Sequence, residues 1–340
     1  MTKSKCLSLC GLAGLAVLIT GPGAFAQASS DWDKTIAAAK AEGQLVFYNA
    51  TPAKMAEKLV AAFEKKYGIK VDTVNARSSE IRERIRADRN SGRSVGDVMI
   101  NGIGTSFTLM QEGSFEQHGH LPALANMKAP FTTDGTLLPY RAGIFVLGVN
   151  TSLVEAADEP KSWFDILDPK WKGKILMDDP RASAGGYQFF DVTYQKFGED
   201  YLRKVADQKP TIGRETATDL RRLAQGEFPL YFPVAASDLP GIVGLPVKPI
   251  VPSEGAPYVV VVNAVLKQPP HPNAARLFLN FMLEEDAQRI ASEFGSISVT
   301  GIKADNLSPM IREMSNAKLL GQNIPEKQAE MLKLANEIFK

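Results

Sequence analysis

The sequence predicts an α/β protein of two lobes, two doubly wound sheets joined by crossover strands. Three observations carry that expectation. Short apolar runs alternate with amphipathic helical stretches, the alternation restarts after Asn150, and two long apolar runs fall where one set gives way to the other. A chain of 340 residues is also longer than one hydrophobic core usually serves.

Leu45–Tyr48 is a buried strand, and Ala53–Tyr67 follows as a helix with Met55, Leu59, Ala62 and Phe63 at helical spacing. Ile69–Val74 is the next strand, Ser79–Asn90 the next helix and Asp97–Ile100 a third strand. The second set holds strand Ile175–Met177, helices Gly186–Phe197 and Glu215–Gln225, and strand Pro229–Phe232. Strand–helix–strand order with short connections predicts parallel pairing. Gly143–Asn150 and Tyr258–Leu266, the latter dense in β-branched residues, read as the crossover strands. Two crossovers make a hinge, so residues 27–145 with 260–305 are assigned to one lobe and 146–259 with 306–340 to the other. Ligands of such sheets bind at the carboxyl ends of strands, which places the site in the cleft between the lobes.

Residues 1–26 read as a cleavable leader. Lys3 and Lys5 precede the apolar stretch Cys6–Thr20, and Ala24-Phe25-Ala26 supplies the small-x-small cleavage pattern. Export is therefore expected, with the mature chain starting at Gln27. Both cysteines, Cys6 and Cys10, lie in the leader, so the mature chain has no disulfide, thiolate site or cysteine nucleophile. Of 39 basic residues, the loss of Lys3 and Lys5 leaves 37 against 38 acidic ones, a balance without basic runs that argues against nucleic acid or a membrane surface as partner. No later stretch approaches 18 consecutive apolar residues, so no membrane insertion is expected.

Trp163-Phe164-Asp165-Ile166-Leu167-Asp168-Pro169-Lys170-Trp171-Lys172-Gly173-Lys174-Ile175 resembles the segment opening the second lobe of bacterial periplasmic solute-binding proteins, in the subgroup of ferric-iron, thiamine and phosphonate binders. Pro252-Ser253-Glu254-Gly255, the stretch His271-Pro272-Asn273-Ala274-Ala275 and the helix Leu277–Phe281 are similar to that subgroup too, as is Tyr48-Asn49-Ala50. The resemblance implies a Venus-flytrap fold, a periplasmic monomer, a small-molecule solute, and delivery to the inner-membrane permease of an ABC importer. It implies no cofactor. The iron-binding members use tyrosines, a histidine and a carboxylate, since hard Fe(III) favours oxygen anions. This sequence has Pro52, Gly102, Ala236 and Ser237 at those positions, which leaves ferric iron as the alternative ligand. His118, His120 and His271 read as surface residues.

The candidate contacts suit an anion instead. Arg77, Ser78 and Ser79 lie between a strand end and a helix start, where a guanidinium fork joins free backbone donors. The turn Pro180–Gly186 offers Ser183 as a cap, Gly185 and Gly186 for close approach of backbone amides, and Tyr187 to stack or donate. Asn49, Thr51, Asn101, Thr105 and Tyr231 are placed by strand ends, and Ser237 by its family position. Arg141, before a crossover strand, is either a cleft contact or one half of a rim salt bridge. The expected solute is a phosphonate, carboxylate or phosphate ester. An exported hydrolase is the reading from another class, but H-E-x-x-H is missing from the sequence and the mature chain has no cysteine nucleophile. Asp178-Asp179 reads as a turn before Pro180, and a partner protein for a sensor kinase would use the same fold.

Overall fold

The computed structural model describes residues 22–182, 185–213 and 215–340, so the leader up to residue 21 lies outside the described residues. Helix α1 (Pro22–Glu42) leads into β1 (Gln44–Asn49), α2 (Ala53–Tyr67), β2 (Lys70–Asn75), α3 (Ser78–Asn90), β3 (Val98–Gly102), α4 (Ile103–Gln111) and the short β4 (Phe115–Glu116). The long β5 (Leu138–Asn150) precedes β6 (Ile175–Asp178), α5 (Gly185–Phe197), α6 (Glu199–Asp207), β7 (Thr211–Gly213), α7 (Thr216–Ala224), β8 (Leu230–Ala235) and β9 (Val247–Ile250). The chain ends with β10 (Ala256–Leu266), α8 (Pro272–Phe281), α9 (Glu285–Glu293), β11 (Ile297–Ser298), α10 (Pro309–Met314), β12 (Leu319–Gln322) and α11 (Gln328–Ile338).

Two sheets share one strand. In the first, β1 runs parallel to β2 and β3, and β10 runs antiparallel to β3 and to the first half of β5. In the second, β6 runs parallel to β7 and β8, and the second half of β5 runs antiparallel to β8 and β9. The partners of β5 change between Ile144 and Phe145, so this strand passes unbroken from sheet to sheet. By contrast β10 pairs only within the first sheet. Of the two expected crossover strands only β5 crosses; it is antiparallel to its neighbours, and β10 is antiparallel to β3, β4 and β5 but parallel to β12, so the sheets are mixed where parallel pairing alone was expected.

Local chemistry explains where elements stop. Gly68, at φ 72°, closes α2 in the left-handed conformation that glycine adopts most cheaply. Helix α8 has no cap of its own. The Glu42 carboxylate at the end of α1 supplies one, accepting from the backbone N–H of Asn273 at 3.2 Å and of Ala274 at 2.7 Å. Around it Phe47 and Phe63 pack 5.0 and 5.1 Å from Phe278. In the second sheet's core, Phe189 lies 5.0 Å from both Trp163 and Phe232. The two stretches that carry the family resemblance meet here. Trp163 Nε1 donates to the Gly255 carbonyl at 2.8 Å, while Glu254 accepts from Trp163 N and Ser162 Oγ. Gly255, at φ 117°, would put a Cβ 2.9 Å from the Lys318 carbonyl, so only glycine fits. Those motifs are a packing staple between chain segments.

Candidate functional site

The carboxyl ends of β1 and β3 face the start of α5 across a cavity of roughly 320 Å³. Phe145 of β5 and Val259 and Val261 of β10 form its floor, and Asn323 and Gln328 close one side. Thr105, Thr108, Gln188 and Arg82 also line it, and among the described residues the lining has no Asp, Glu or His.

The first wall is a hydroxyl and amide cluster. Ser78 Oγ donates to Asn101 Oδ1 at 2.6 Å and lies 2.9 Å from Thr105 Oγ1. Asn101 Oδ1 also accepts from Gly102 N at 2.8 Å. Gly102, the N-cap of α4, has no side chain, and the first turn of that helix holds no acidic residue, so its positive end is left open to the cavity. Arg82 lies one turn after Ser78 on α3 and is 35% exposed, with Glu83 at 3.0 Å from its Nε.

The buried carboxylates of the second wall are all paired within it. Asp178 Oδ2 accepts from Gly186 N at 2.8 Å and Oδ1 from Asp179 N at 3.1 Å. The start of α5 therefore already has its anion. Burial, together with Asp219 and Asp179, pushes the Asp178 carboxyl up to about 6 against the lowering of those two amides. Asp179 pairs with Arg181 at 2.7 Å, and Asp219 pairs with Arg222 at 3.1 Å and accepts from Glu215 N. Tyr187 lines the cavity, yet its hydroxyl donates to Asp191 Oδ2 at 3.2 Å and is within reach of Asn323. Burial and the Asp191 charge push that phenol well above its ordinary value. Gln188 Oε1 and Asn323 Oδ1 are buried without a hydrogen-bond partner, two unused acceptors on residues that line the cavity.

The structure brings together Ser78, Asn101, Thr105, Gly185 and Tyr187 of the sequence candidates. Ser183 lies outside the described residues. Gly186 is packed against its own strand, where an added Cβ would stand 2.4 Å from the Asp179 carbonyl, so its missing side chain serves the fold and its amide serves Asp178. Asn49 is wholly buried and binds Asn75 and Thr51, and Thr51 returns its Oγ1 to Asn49 at 2.6 Å. Arg77 and Ser79 are exposed and outside the lining, because α3 starts at Ser78 and turns Ser78 and Arg82 inward instead. Ser237 sits on the turn after β8 beside Asp238. Tyr231 is buried beneath the second wall; its hydroxyl makes no hydrogen bond of full geometry, Thr216 being in looser reach, and burial and nearby carboxylates push it up. His118, expected on the surface, is buried at 2% exposure because its ring bridges Gly119 O and Thr133 Oγ1.

Sequence reading passed over Arg82, Gln188, Asn323 and Gln328. The i, i+4 step from Ser78 could have found Arg82, whereas nothing local links residue 323 to residue 101. Arg141 is no rim salt bridge: it lies inside β5 at 5% exposure, with no carboxylate paired to it among the described residues.

A family model described as bacterial extracellular solute-binding protein matches residues 58–311. An uncharacterized protein of Haemophilus influenzae is 25% identical over 296 residues, 83% of this chain and 85% of that one. Iron-bound HitA from Pseudomonas aeruginosa superposes with a TM-score of 0.71 at 22% identity, covering 87% of this chain and 99% of HitA. AfuA from Actinobacillus pleuropneumoniae, with exogenous fructose-6-phosphate bound, gives 0.64 at 23% identity, covering 87% and 97%. Likeness at that level shows a shared two-lobed fold. The family match spans well over half of the sequence, so the chain belongs to the bacterial extracellular solute-binding proteins.

Proposed function

We propose that this chain is the periplasmic receptor of an ABC importer and captures a small anionic organic solute, a phosphonate, carboxylate or phosphate ester, between its lobes. The observation that carries the reading is the cavity lining. It presents Arg82, the open start of α4, hydroxyls and amides, and among the described residues no carboxylate. Such a surface repels nothing negative, and its buried amide oxygens accept hydroxyls of the solute. The fructose-6-phosphate bound to AfuA is a solute of this chemistry. HitA is iron-bound, and iron in its ferric form asks for several oxygen anions that this lining does not supply.

On this reading the monomer closes about β5, with residues 27–145 and 260–305 moving against 146–259 and 306–340, and the closed form docks on the permease. Release from the membrane follows cleavage after Ala26. A thermal-shift panel of phosphonates, carboxylates, sugar phosphates, thiamine and ferric salts tests the ligand class. A solute at a thousandfold its Kd stabilises by about 4 kcal/mol. A shift with ferric or cationic members and none with the anions would overturn the proposal.

A further inference from the structure

Arg141 lies in the first half of β5, the strand that passes between the sheets, and its neighbours across the sheet are Val261 of β10 and Ser298 of β11. Side chains alternate along a strand, so Arg141 shares a face with Gly143 and Phe145. Phe145 and Val261 both line the cavity. The guanidinium Nη1 donates to Ser296 Oγ at 3.0 Å. Nε is buried without a partner, and among the described residues Nη2 has none either. A Cβ at Gly143 would stand 3.3 Å from Nη1, so the bare backbone there leaves room for the guanidinium along the floor.

A cation buried at 5% exposure with no counterion opposes folding. Ser296 offers one neutral oxygen in return. Arg141 lies just behind the lining residues Phe145 and Val261, with Nε closed to solvent, and its unpaired edge, Nε with Nη2, is the side-on fork that matches two oxygens of a carboxylate or phosphate once the floor parts to admit them.

We propose that Arg141 is the charge anchor of the solute, its Nε–Nη2 edge holding one carboxylate, phosphate or phosphonate group at the floor of the cleft. This deepens the anionic-solute reading and rests on it. The anchor lies within four residues of the point where β5 changes sheets, so lobe closure moves it little. The anion is then fixed at the hinge while the walls read the rest of the molecule.

Calorimetric titration of the full mature protein with inorganic phosphate, fructose 6-phosphate, citrate and neutral fructose decides it, using wild type, Arg141→Met and Arg141→Lys. Apo Arg141→Met should melt at or above the wild type, because an uncompensated charge has left the interior. It should bind whichever anion the wild type binds about 100-fold more weakly, and Arg141→Lys should recover only part of that loss. Higher apo stability with lost affinity is a pairing that a merely structural arginine would not give. Affinities within threefold of wild type in both variants would overturn the anchor and leave the anionic reading standing. A wild type that binds none of the three anions overturns both. Should Arg141→Met fail to fold, Arg141→Lys carries the decision, and unchanged affinity there rules out the bidentate contact.

Discussion

The two walls of the cleft stand at equivalent places, the carboxyl ends of parallel strands followed by helix starts, and they dispose of their polar groups in opposite ways. On the second wall Asp178, Asp179 and Asp219 are each at most 4% exposed, and each is tied to a backbone amide or an arginine of the same wall. On the first wall Ser78, Asn101 and Thr105 bond one another, but the α4 start beside them has no anion. A carboxylate built into one wall neutralises the helix end that a solute would otherwise use. Polarity near a cleft is therefore a poor guide to binding until each donor's own partner has been found.

The sharpest way to break this contrast is Gly186→Ala. The added methyl would meet three backbone atoms of Asp178 and Asp179 within 2.5 Å, and backbone yields less readily than a flexible side chain. A cost of about 3 kcal/mol or more is expected, at the top of the overpacking range, measured by urea unfolding. A variant as stable as wild type would show that the turn is loose enough to admit a ligand and that the second wall is not closed.

Asp178 offers the next largest effect. Its carboxyl is pushed to about 6 against an ordinary value of 3.8. Between those values the folded protein keeps a proton that the unfolded chain has released. Acidification from pH 8 to pH 4 therefore adds stability through this group, about 3 kcal/mol for a shift of roughly two units. In Asp178→Asn that contribution is gone. The stability of Asp178→Asn relative to wild type should fall by about that amount from pH 8 to pH 4. His118, whose burial lowers its pKa, acts in the other direction but cancels in the difference. A flat difference across pH would mean the Asp178 carboxylate is ionised throughout and better solvated than its burial indicates.

Much of this architecture was legible in the residues, for reasons that differ by element. Helix α2 appears with the bounds read from sequence, Ala53–Tyr67, because Pro52 and Gly68 punctuate both ends. The first five residues of β5 were missed because Pro139 and Arg141 look like loop residues. Pro139 is tolerated where the register shifts against Val261 and Val262, which is where a strand can dispense with a ladder hydrogen bond. At the site, Ser78, Asn101 and Thr105 were readable from strand ends. Asn323 and Gln328 were not, since a chain reversal after β12 brings them to α4 and no local pattern records it. Arg77 stood one residue too early: Glu80 accepts from its N–H at 3.1 Å, and the helix then turns Ser78 inward.

Arg82 measures how far the first wall depends on charge. It lines the cavity at 35% exposure and shares its guanidinium with Glu83, itself 59% exposed. A charge-assisted bond to a solute is worth roughly 1.5–3 kcal/mol, and exposure places this one at the low end. Arg82→Ala should weaken anion binding about tenfold with little change in melting temperature. Equal affinity would leave the anion to Arg141 and the α4 start alone.

The smallest expected effect is the most discriminating, because it sets a glycine of the first wall against Gly186. Gly102 adopts φ −65° and ψ 148°, which any residue accepts, and the nearest atom to an added Cβ is Val259 Cγ2 at 3.8 Å. Gly102→Ala therefore fits the free protein, and its stability should stay within about 0.5 kcal/mol of wild type. The methyl would nonetheless occupy the cavity beside the open start of α4, where a solute oxygen would approach the backbone donors. Affinity should fall about threefold, an effect that titration resolves and thermal melting of the apo protein does not. Lost stability with unchanged affinity would exchange the roles of the two walls, placing the packing glycine on the first and the ligand on the second. Unchanged affinity and unchanged stability together would mean the solute never reaches the α4 start, and the anion would then be held at the hinge by Arg141 without help from a helix end.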